Sequence, residues 1–378
     1  MSVFDVAVVG AGPAGAFAAY KLARQGHSVC LFEKSLLPHA KPCGGGLTLK
    51  ALSLLDFPID DLVKAKVDQV YLTHHRSVYG VRKADRTPYL VSTKRAPVWM
   101  VERSQFDQRI AQQAQKAGAT LFQGEAVTSI ETQDGSVRVR TPENTYDAKV
   151  LVGADGDKGK VARWLGLAPQ AGQPYMLAIE LNARIISYPF GDSALLDFGV
   201  PDGYGWVFPK GEYSNVGIAT FNRNCFNNLE SLLERFIDGQ GLNLSDRSQL
   251  QGQRIPTGGA RRLLNTRNAL LVGDAAWLAE PAFGEGIPFA LKSGDIAAHV
   301  IHQYLTGVIP DLDSYTATVH RTLVEEQRSM KIIRFWLYNF PSISMRLFSL
   351  SASLRRAAEN VIGGQRSRTG VWQRAYES

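Results

Sequence analysis

Cysteine is scarce: only Cys30, Cys43 and Cys225 occur in a chain of 378 residues. Their odd number and wide spacing exclude a disulfide framework and offer no ligand set for structural zinc, so no metal is expected and a reducing cytoplasm is the expected compartment. Long apolar runs are also missing. The longest uncharged stretch in the basic C-terminal part, from Phe335 to Met345, is broken by Asn339 and Pro341 and falls well short of the ~20 residues of a spanning helix. The opening MSVFDVAVVG runs directly into a strand pattern without the regions of a signal peptide, so no export is expected by that route. There is no internal repeat, no low-complexity segment and no second glycine fingerprint for a nicotinamide cofactor. Nucleic-acid recognition motifs are absent, and no nucleic-acid partner is expected.

What is present is an ordinary globular composition, 45% apolar and 20% charged. The length favours two lobes over a single core. Net charge is +7, and from His320 onward ten Lys and Arg face four Glu, so nearly the whole excess sits in the last part of the chain. An anionic lipid surface is the expected partner for it. Ile332, Ile333, Phe335, Trp336, Leu337, Phe340, Met345, Leu347, Phe348 and Leu350 alternate there with Lys331, Arg334 and Arg346. Two readings stay open: an interfacial amphipathic segment, or helices capping a substrate lobe.

Val3 to Val9, the helical pattern Ala16 to Gln25 and the apolar run Ser28 to Phe32 read as strand, helix, strand, the opening of a parallel doubly wound domain. Short strands are expected at Val67 to Thr73 and Tyr89 to Ser92, and a helix from Ser104 to Lys116. Strands follow at Thr120 to Gln123, Ala126 to Glu131 and Val150 to Val152, with a hairpin around Asp134-Gly135. Met176 to Phe221 reads as a strand-rich antiparallel lobe, Leu229 to Asp238 as a helix, Ala269 to Val272 as a buried strand and Ile287 to Leu305 as a long helix.

Gly10-Ala11-Gly12-Pro13-Ala14-Gly15 follows the first strand and opens the first helix, with Glu33 at the end of the second strand and Lys34 beside it. Gly10 permits the tight turn, Gly12 lets backbone approach a pyrophosphate, and Gly15 lets helix and strand pack closely. The helix terminus adds a positive dipole end. Glu33 is placed to hold ribose hydroxyls. Asp274, after the strand Leu270-Leu271-Val272, is placed to accept from a ribityl hydroxyl, which FAD has and NAD lacks. Pro281, Gly284, Gly286 and Ile287 then lead the long helix toward the same point, and its dipole favours negative charge on a reduced flavin. Asp155 and Gly156 end a further apolar strand.

These separated segments resemble the p-hydroxybenzoate hydroxylase superfamily of flavoproteins. The resemblance implies that Arg103 contacts the cofactor, with a structural salt bridge as the competing role, and that Ala126 and Val127 lie beside the adenine half. Within it, Tyr204-Gly205-Trp206-Val207-Phe208-Pro209-Lys210, Lys41-Pro42-Cys43-Gly44-Gly45-Gly46-Leu47 and Gly284-Glu285-Gly286-Ile287 are similar to the geranylgeranyl reductase family, over about residues 3 to 305. The implied fold is α/β: a three-layer, Rossmann-like FAD-binding domain interleaved with an antiparallel-sheet substrate domain, plus C-terminal helices. The expected boundaries are 1–65, 95–165 and 260–310 for the first, 66–94 and 166–259 for the second, and 311–378 for the basic helical segment. Two departures stand out. Trp277 replaces the family's glycine after Gly-Asp-Ala-Ala, and Gly159 replaces its serine; Trp277 is expected to narrow the pocket.

The implied reaction is saturation of isoprenoid C=C bonds on a lipid, chlorophyll or quinone precursor, with NADPH or a small redox protein as electron donor. An isolated alkene needs a hydride at one carbon and a proton at the other, with water excluded. Tyr204, Trp206 and Phe208 share one strand face by their period of two. They line an apolar tunnel or, in the blander reading, simply cover the sheet. Phe208, Pro209 and Trp277 are the candidate substrate-pocket residues. Cys43, Tyr204 and Trp206 are the candidate catalytic residues, with Cys43 giving or relaying the proton and Gly44 and Gly45 leaving clearance for a flat ring. The alternative is an FAD-dependent monooxygenase, hydroxylase or halogenase-like, on an apolar substrate. A third is a prenyl-lipid carrier in which FAD is structural. The halogenase pattern Trp-x-Trp-x-Ile-Pro is not matched at Tyr204 to Pro209.

Overall fold

The computed structural model describes residues 3–75, 88–133, 135–258 and 262–365. Asp134 of the expected hairpin and Arg366, Arg368, Arg374 and Glu377 of the basic tail lie outside them.

One sheet follows from the apolar runs at the start of the chain. Its strands stand in the order Thr120–Gln123, Val29–Glu33, Val3–Val9, Thr145–Gly153, Ser136–Arg140 and Ser129–Gln133. The first four are parallel and the last two form an antiparallel hairpin. Thr145–Gly153 is shared: its first half pairs with the hairpin, while Leu151 to Gly153 pair in parallel with Ala269–Leu271. A segment more than a hundred residues downstream therefore returns to the centre of this sheet. Val6 to Val9 and Leu31 are buried on both faces, as a parallel sheet covered by helices requires. Helices Arg103–Lys116 and Ile287–Leu305 pack on either side of Pro13–Arg24 and form one covering layer. The strand expected from Ala126 begins only at Ser129, leaving Ala126 and Val127 in a connection.

The second sheet runs Asn243–Ser245, Tyr175–Ser187, Tyr213–Thr220, Gly203–Lys210, Ala194–Asp197, Gln69–Thr73 and Tyr89–Ser92, with Gln251–Pro256 also on Tyr175–Ser187. It is antiparallel except where Ala194–Asp197 meets Gln69–Thr73. Both faces are covered. Gly205 and Val207 turn toward the helix Leu229–Gly239, whereas Tyr204, Trp206 and Phe208 turn toward a separate apolar cluster. The expected strand Val67 to Thr73 is split at Asp68: Val63–Val67 belongs to a small third sheet with Val98–Val101 and Gly46–Leu47.

Helices Glu325–Asn339, Pro341–Leu350 and Ala352–Ile362 close that second cluster, with Leu337, Tyr338 and Met345 buried in it. Tyr89 Oη donates to Phe348 O at 3.2 Å, and Arg334 lies 3.5 Å above the Phe221 ring. Among the described residues no helix is long and apolar enough to cross a membrane, and no group of His, Cys, Asp and Glu is placed to hold a metal.

Candidate active site

A cavity is lined by residues of both large sheets and the turns that follow their strands. At one end it is lined by Gly12, Pro13, Ala14, Ala154, Gly156, Asp274, Gly286 and Ile287, and at the other by Tyr204, Trp206, Phe208, Ile255, Phe283 and Met330. Cys43, Gly44, Gly45, Arg103 and Gly284 line it as well.

The first end is built from turns. Gly10 has φ +106°, and a Cβ there would strike Ala154 O; a Cβ on Gly15 would strike Gly10 O. Both glycines are thus fixed by close backbone packing. Gly12 differs, since no atom lies within 4 Å of where its Cβ would be. Its backbone is bare toward the cavity, beside the N-terminus of Pro13–Arg24. Glu33 lies beneath this turn and accepts from Ala11 N–H at 3.0 Å and Ser35 N–H at 3.1 Å. Asp155 Oδ2 accepts from Lys160 N–H at 2.6 Å and Val161 N–H at 2.9 Å, while its Oδ1 is buried without a partner. Burial pushes the Asp155 carboxyl upward, partly countered by these N–H groups and by nearby Lys34. Gly159 is explained here: a Cβ would run into the Asp155 carboxylate. Asp274 faces the cavity, and its carboxylate makes no hydrogen bond among the described residues.

A bare glycine turn at a helix N-terminus, a carboxylate unpartnered among the described residues and a long slot between sheets fit an extended dinucleotide with a polyol linker. Gly12, Pro13 and Ala14 would hold the pyrophosphate, Asp274 the ribityl chain, and the start of Ile287–Leu305 the flavin's pyrimidine edge. Glu33, Lys34, Ala126, Val127, Asp155 and Pro281 stand outside the cavity lining.

Cys43 occupies the waist. Its N–H donates to Glu180 Oε1 at 2.7 Å and its Sγ accepts from Gly45 N–H at 3.4 Å. Arg103 is buried and forms a bidentate pair with Asp107, at 2.9 and 2.8 Å, on its own helix. Burial opposes its charge, yet the Asp107 carboxylate and the Cys43 thiol facing it together hold its proton more tightly than usual. Arg103 therefore makes the salt bridge and lines the cavity as well.

The glycines after Cys43 correct one expectation. A Cβ on Gly44 would lie 2.6 Å from the Phe208 ring, and one on Gly45, at φ +74°, would strike Val101 O and lie 3.0 Å from Lys210 Nζ. On those sides the clearance is taken by the protein's own atoms, because the loop lies against the strands Val98–Val101 and Gly203–Lys210. Trp277 is a second correction. It adopts φ 59°, in the left-handed region that glycine enters more easily, and it does not line the cavity. Its ring lies 5.7 Å from the Arg254 guanidinium, and Arg254 pairs with Asp157 at 2.7 Å. The backbone turn points the side chain away from the slot. Pro209 also lies outside the lining, since it sits on the alternate face of its strand.

Tyr204, Trp206 and Phe208 do form one wall, with Trp206 and Phe208 stacked at 6.1 Å. Trp206 Nε1–H donates to Asn215 Oδ1 at 2.7 Å, and Tyr204 Oη donates to Phe283 O. Burial pushes the Tyr204 phenol well above its ordinary value.

Sequence reasoning missed the charged residues of the waist. Glu180 is buried on the inward register of Tyr175–Ser187, with Met176 and Ala178; a glutamate on that period-two face was the available signal. Burial raises its pKa, opposed by Cys43 N–H and Lys210. Lys210 pairs with Glu102 at 3.0 Å. Glu280, fully enclosed, accepts from Phe283 N–H at 2.7 Å and from Ala282 N–H, and burial pushes it up to about 7. Glu285 accepts from Thr48 Oγ1 at 2.6 Å and neighbours Lys50, which pairs with Glu326 of the C-terminal helices at 2.5 Å.

Fold and site together define an FAD-dependent oxidoreductase, and FAD is its cofactor. A sequence model of the FAD binding domain matches residues 3–193. The chain is 31% identical to a digeranylgeranylglycerophospholipid reductase of Methanosphaera stadtmanae, over 79% of this chain and 78% of that protein. It is 32% identical to a menaquinone reductase of Mycolicibacterium smegmatis, over 83% and 80% of the two chains. The crystal structure of a geranylgeranyl bacteriochlorophyll reductase-like protein of Thermoplasma acidophilum shares the fold, at TM-score 0.80 and 24% identity over 95% and 96% of the chains. The chain belongs to the geranylgeranyl reductase family of FAD-dependent oxidoreductases.

Proposed function

We propose that this protein saturates isoprenoid C=C bonds carried on a lipid, chlorophyll or quinone precursor. The observation that carries this reading is the continuity of one cavity from the glycine cradle to an apolar wall of Tyr204, Trp206, Phe208 and Phe283. The first sheet and its helices hold the cofactor in this reading, and the second sheet with the C-terminal helices holds the chain to be reduced. Bound FAD in its reduced form supplies the hydride; the protein must supply a proton and a dry, shaped slot.

Cys43 is the proposed proton donor. Its backbone is pinned by Glu180 and its sulfur by Gly45 N–H, so the thiol is fixed at the junction of the two arms. Arg103 lines the cavity near it, with its charge paired to Asp107. Tyr204 and Trp206 act as walls, since their protons are committed to Phe283 O and Asn215 Oδ1. Apolar walls exclude water that would otherwise trap the cation-like carbon of the protonated alkene.

The test is single-turnover reduction. Flavin-loaded protein is reduced chemically without oxygen and mixed with a geranylgeranyl-bearing lipid, and the product is weighed by mass spectrometry. Addition of one H2 per bond supports the proposal. An unchanged lipid, or product formed only with oxygen uptake, overturns it and supports a monooxygenase.

A further inference from the structure

The C-terminal helices are built inside out. Surface helices turn apolar residues inward, and the inner faces here do so: Met330, Val361 and Ile362 line the cavity. The outer face is apolar too. Ile332, Phe335, Trp336, Ile343, Leu347 and Leu350 are all exposed, Leu350 by 76%. They recur at three- and four-residue steps through Glu325–Asn339 and Pro341–Leu350, a continuous stripe where surface apolar residues are ordinarily scattered singly. Phe340 bridges the helix break, with its ring 5.4 Å from Trp336 and 5.9 Å from Phe335.

Charge decides what covers this stripe. From Phe340 to Ala358 there are three arginines, Arg346, Arg355 and Arg356, and no Asp or Glu; all three are exposed. A second copy of the chain, docked face to face about a two-fold axis, would bring these arginines against one another. A bilayer with anionic headgroups accepts both features: aromatic rings at the headgroup level and arginines on phosphates.

We infer that the outer face of helices Glu325–Asn339 and Pro341–Leu350 docks on an anionic lipid bilayer and brings the cavity to a lipid-borne substrate. The delivery step rests on the proposed reduction of an isoprenoid chain; the docking does not. Glu325–Asn339 does both, lining the cavity with Met330 and carrying the first half of the stripe, so docking would set this helix between bilayer and slot.

Flotation of the flavin-loaded full chain with vesicles tests this. Binding to phosphatidylcholine vesicles containing phosphatidylglycerol is expected, weaker binding to phosphatidylcholine alone, and release by high salt. Phe335→Glu with Trp336→Glu should cut the bound fraction about tenfold. Arg346→Glu should weaken binding to anionic vesicles about fivefold or more. Absence of flotation, indifference to vesicle charge, or wild-type binding by the aromatic variant overturns the inference. So does a dimer in light scattering that Trp336→Glu dissociates. Turnover of detergent-dispersed substrate separates the two proposals: the aromatic variant should retain it, and its loss in the wild type would sink the reaction and leave the docking standing.

Discussion

Phe208 lies with its ring against the α-carbon of Gly44, so close that a Cβ there would stand 2.6 Å from its Cδ2. The loop bearing Cys43 is thereby seated on the strand bearing Tyr204, Trp206 and Phe208, and the candidate acid is held over the apolar wall. Gly44→Ala must push the ring or the loop away. A loss of about 1–3 kcal/mol in denaturant unfolding is expected, with recovery when Phe208→Ala makes room in the same chain.

Removing the thiol should separate binding from chemistry. Cys43→Ala is expected to keep its flavin, read from the visible spectrum, while single-turnover saturation falls by about a hundredfold. Unchanged turnover would show that the proton comes from elsewhere.

Asp274 offers a carboxylate to the cavity with no donor to it among the described residues. Asp274→Ala should weaken FAD affinity by about ten- to a hundredfold, the worth of a hydrogen bond to a charged acceptor, measured by flavin retention on dilution. An unchanged affinity would remove Asp274 from the cofactor site.

Glu280 sets a pH dependence. Its carboxyl, ordinarily near 4.5, is pushed up to about 7 by burial. A folded-state value above the unfolded one means that the folded protein binds the extra proton. The stabilisation is full below about 4.5 and is lost as pH rises to about 7, a change of about 3 kcal/mol. Unfolding free energies across that window should show the fall, and Glu280→Gln should flatten it. An equal slope in the variant would assign the effect to another group.

The glycine fingerprint was legible in the sequence because each of its glycines answers a local geometric demand. The shared face of Tyr204, Trp206 and Phe208 was legible because strand side chains alternate by two. Glu180 was not, since its meaning depends on the Cys43 N–H that a loop more than a hundred residues away brings to it. Trp277 was expected to narrow the pocket and does not line it, because its side-chain direction follows the φ of 59° and no residue pattern shows that. The C-terminal helices gave composition alone; that their inner face completes the cavity emerges only once they pack on the second sheet.

By itself the sequence determined the cofactor class, the strands that end at Gly10 and Asp274, and the family. These depend on residues close together in the chain, whose spacing is dictated by turns and periods. Tertiary structure alone decided which charges meet at Cys43, what fills the space beside Gly44, and which way Trp277 turns. Those depend on contacts between distant segments, which form only when burial of the two sheets against each other brings them within a few ångströms.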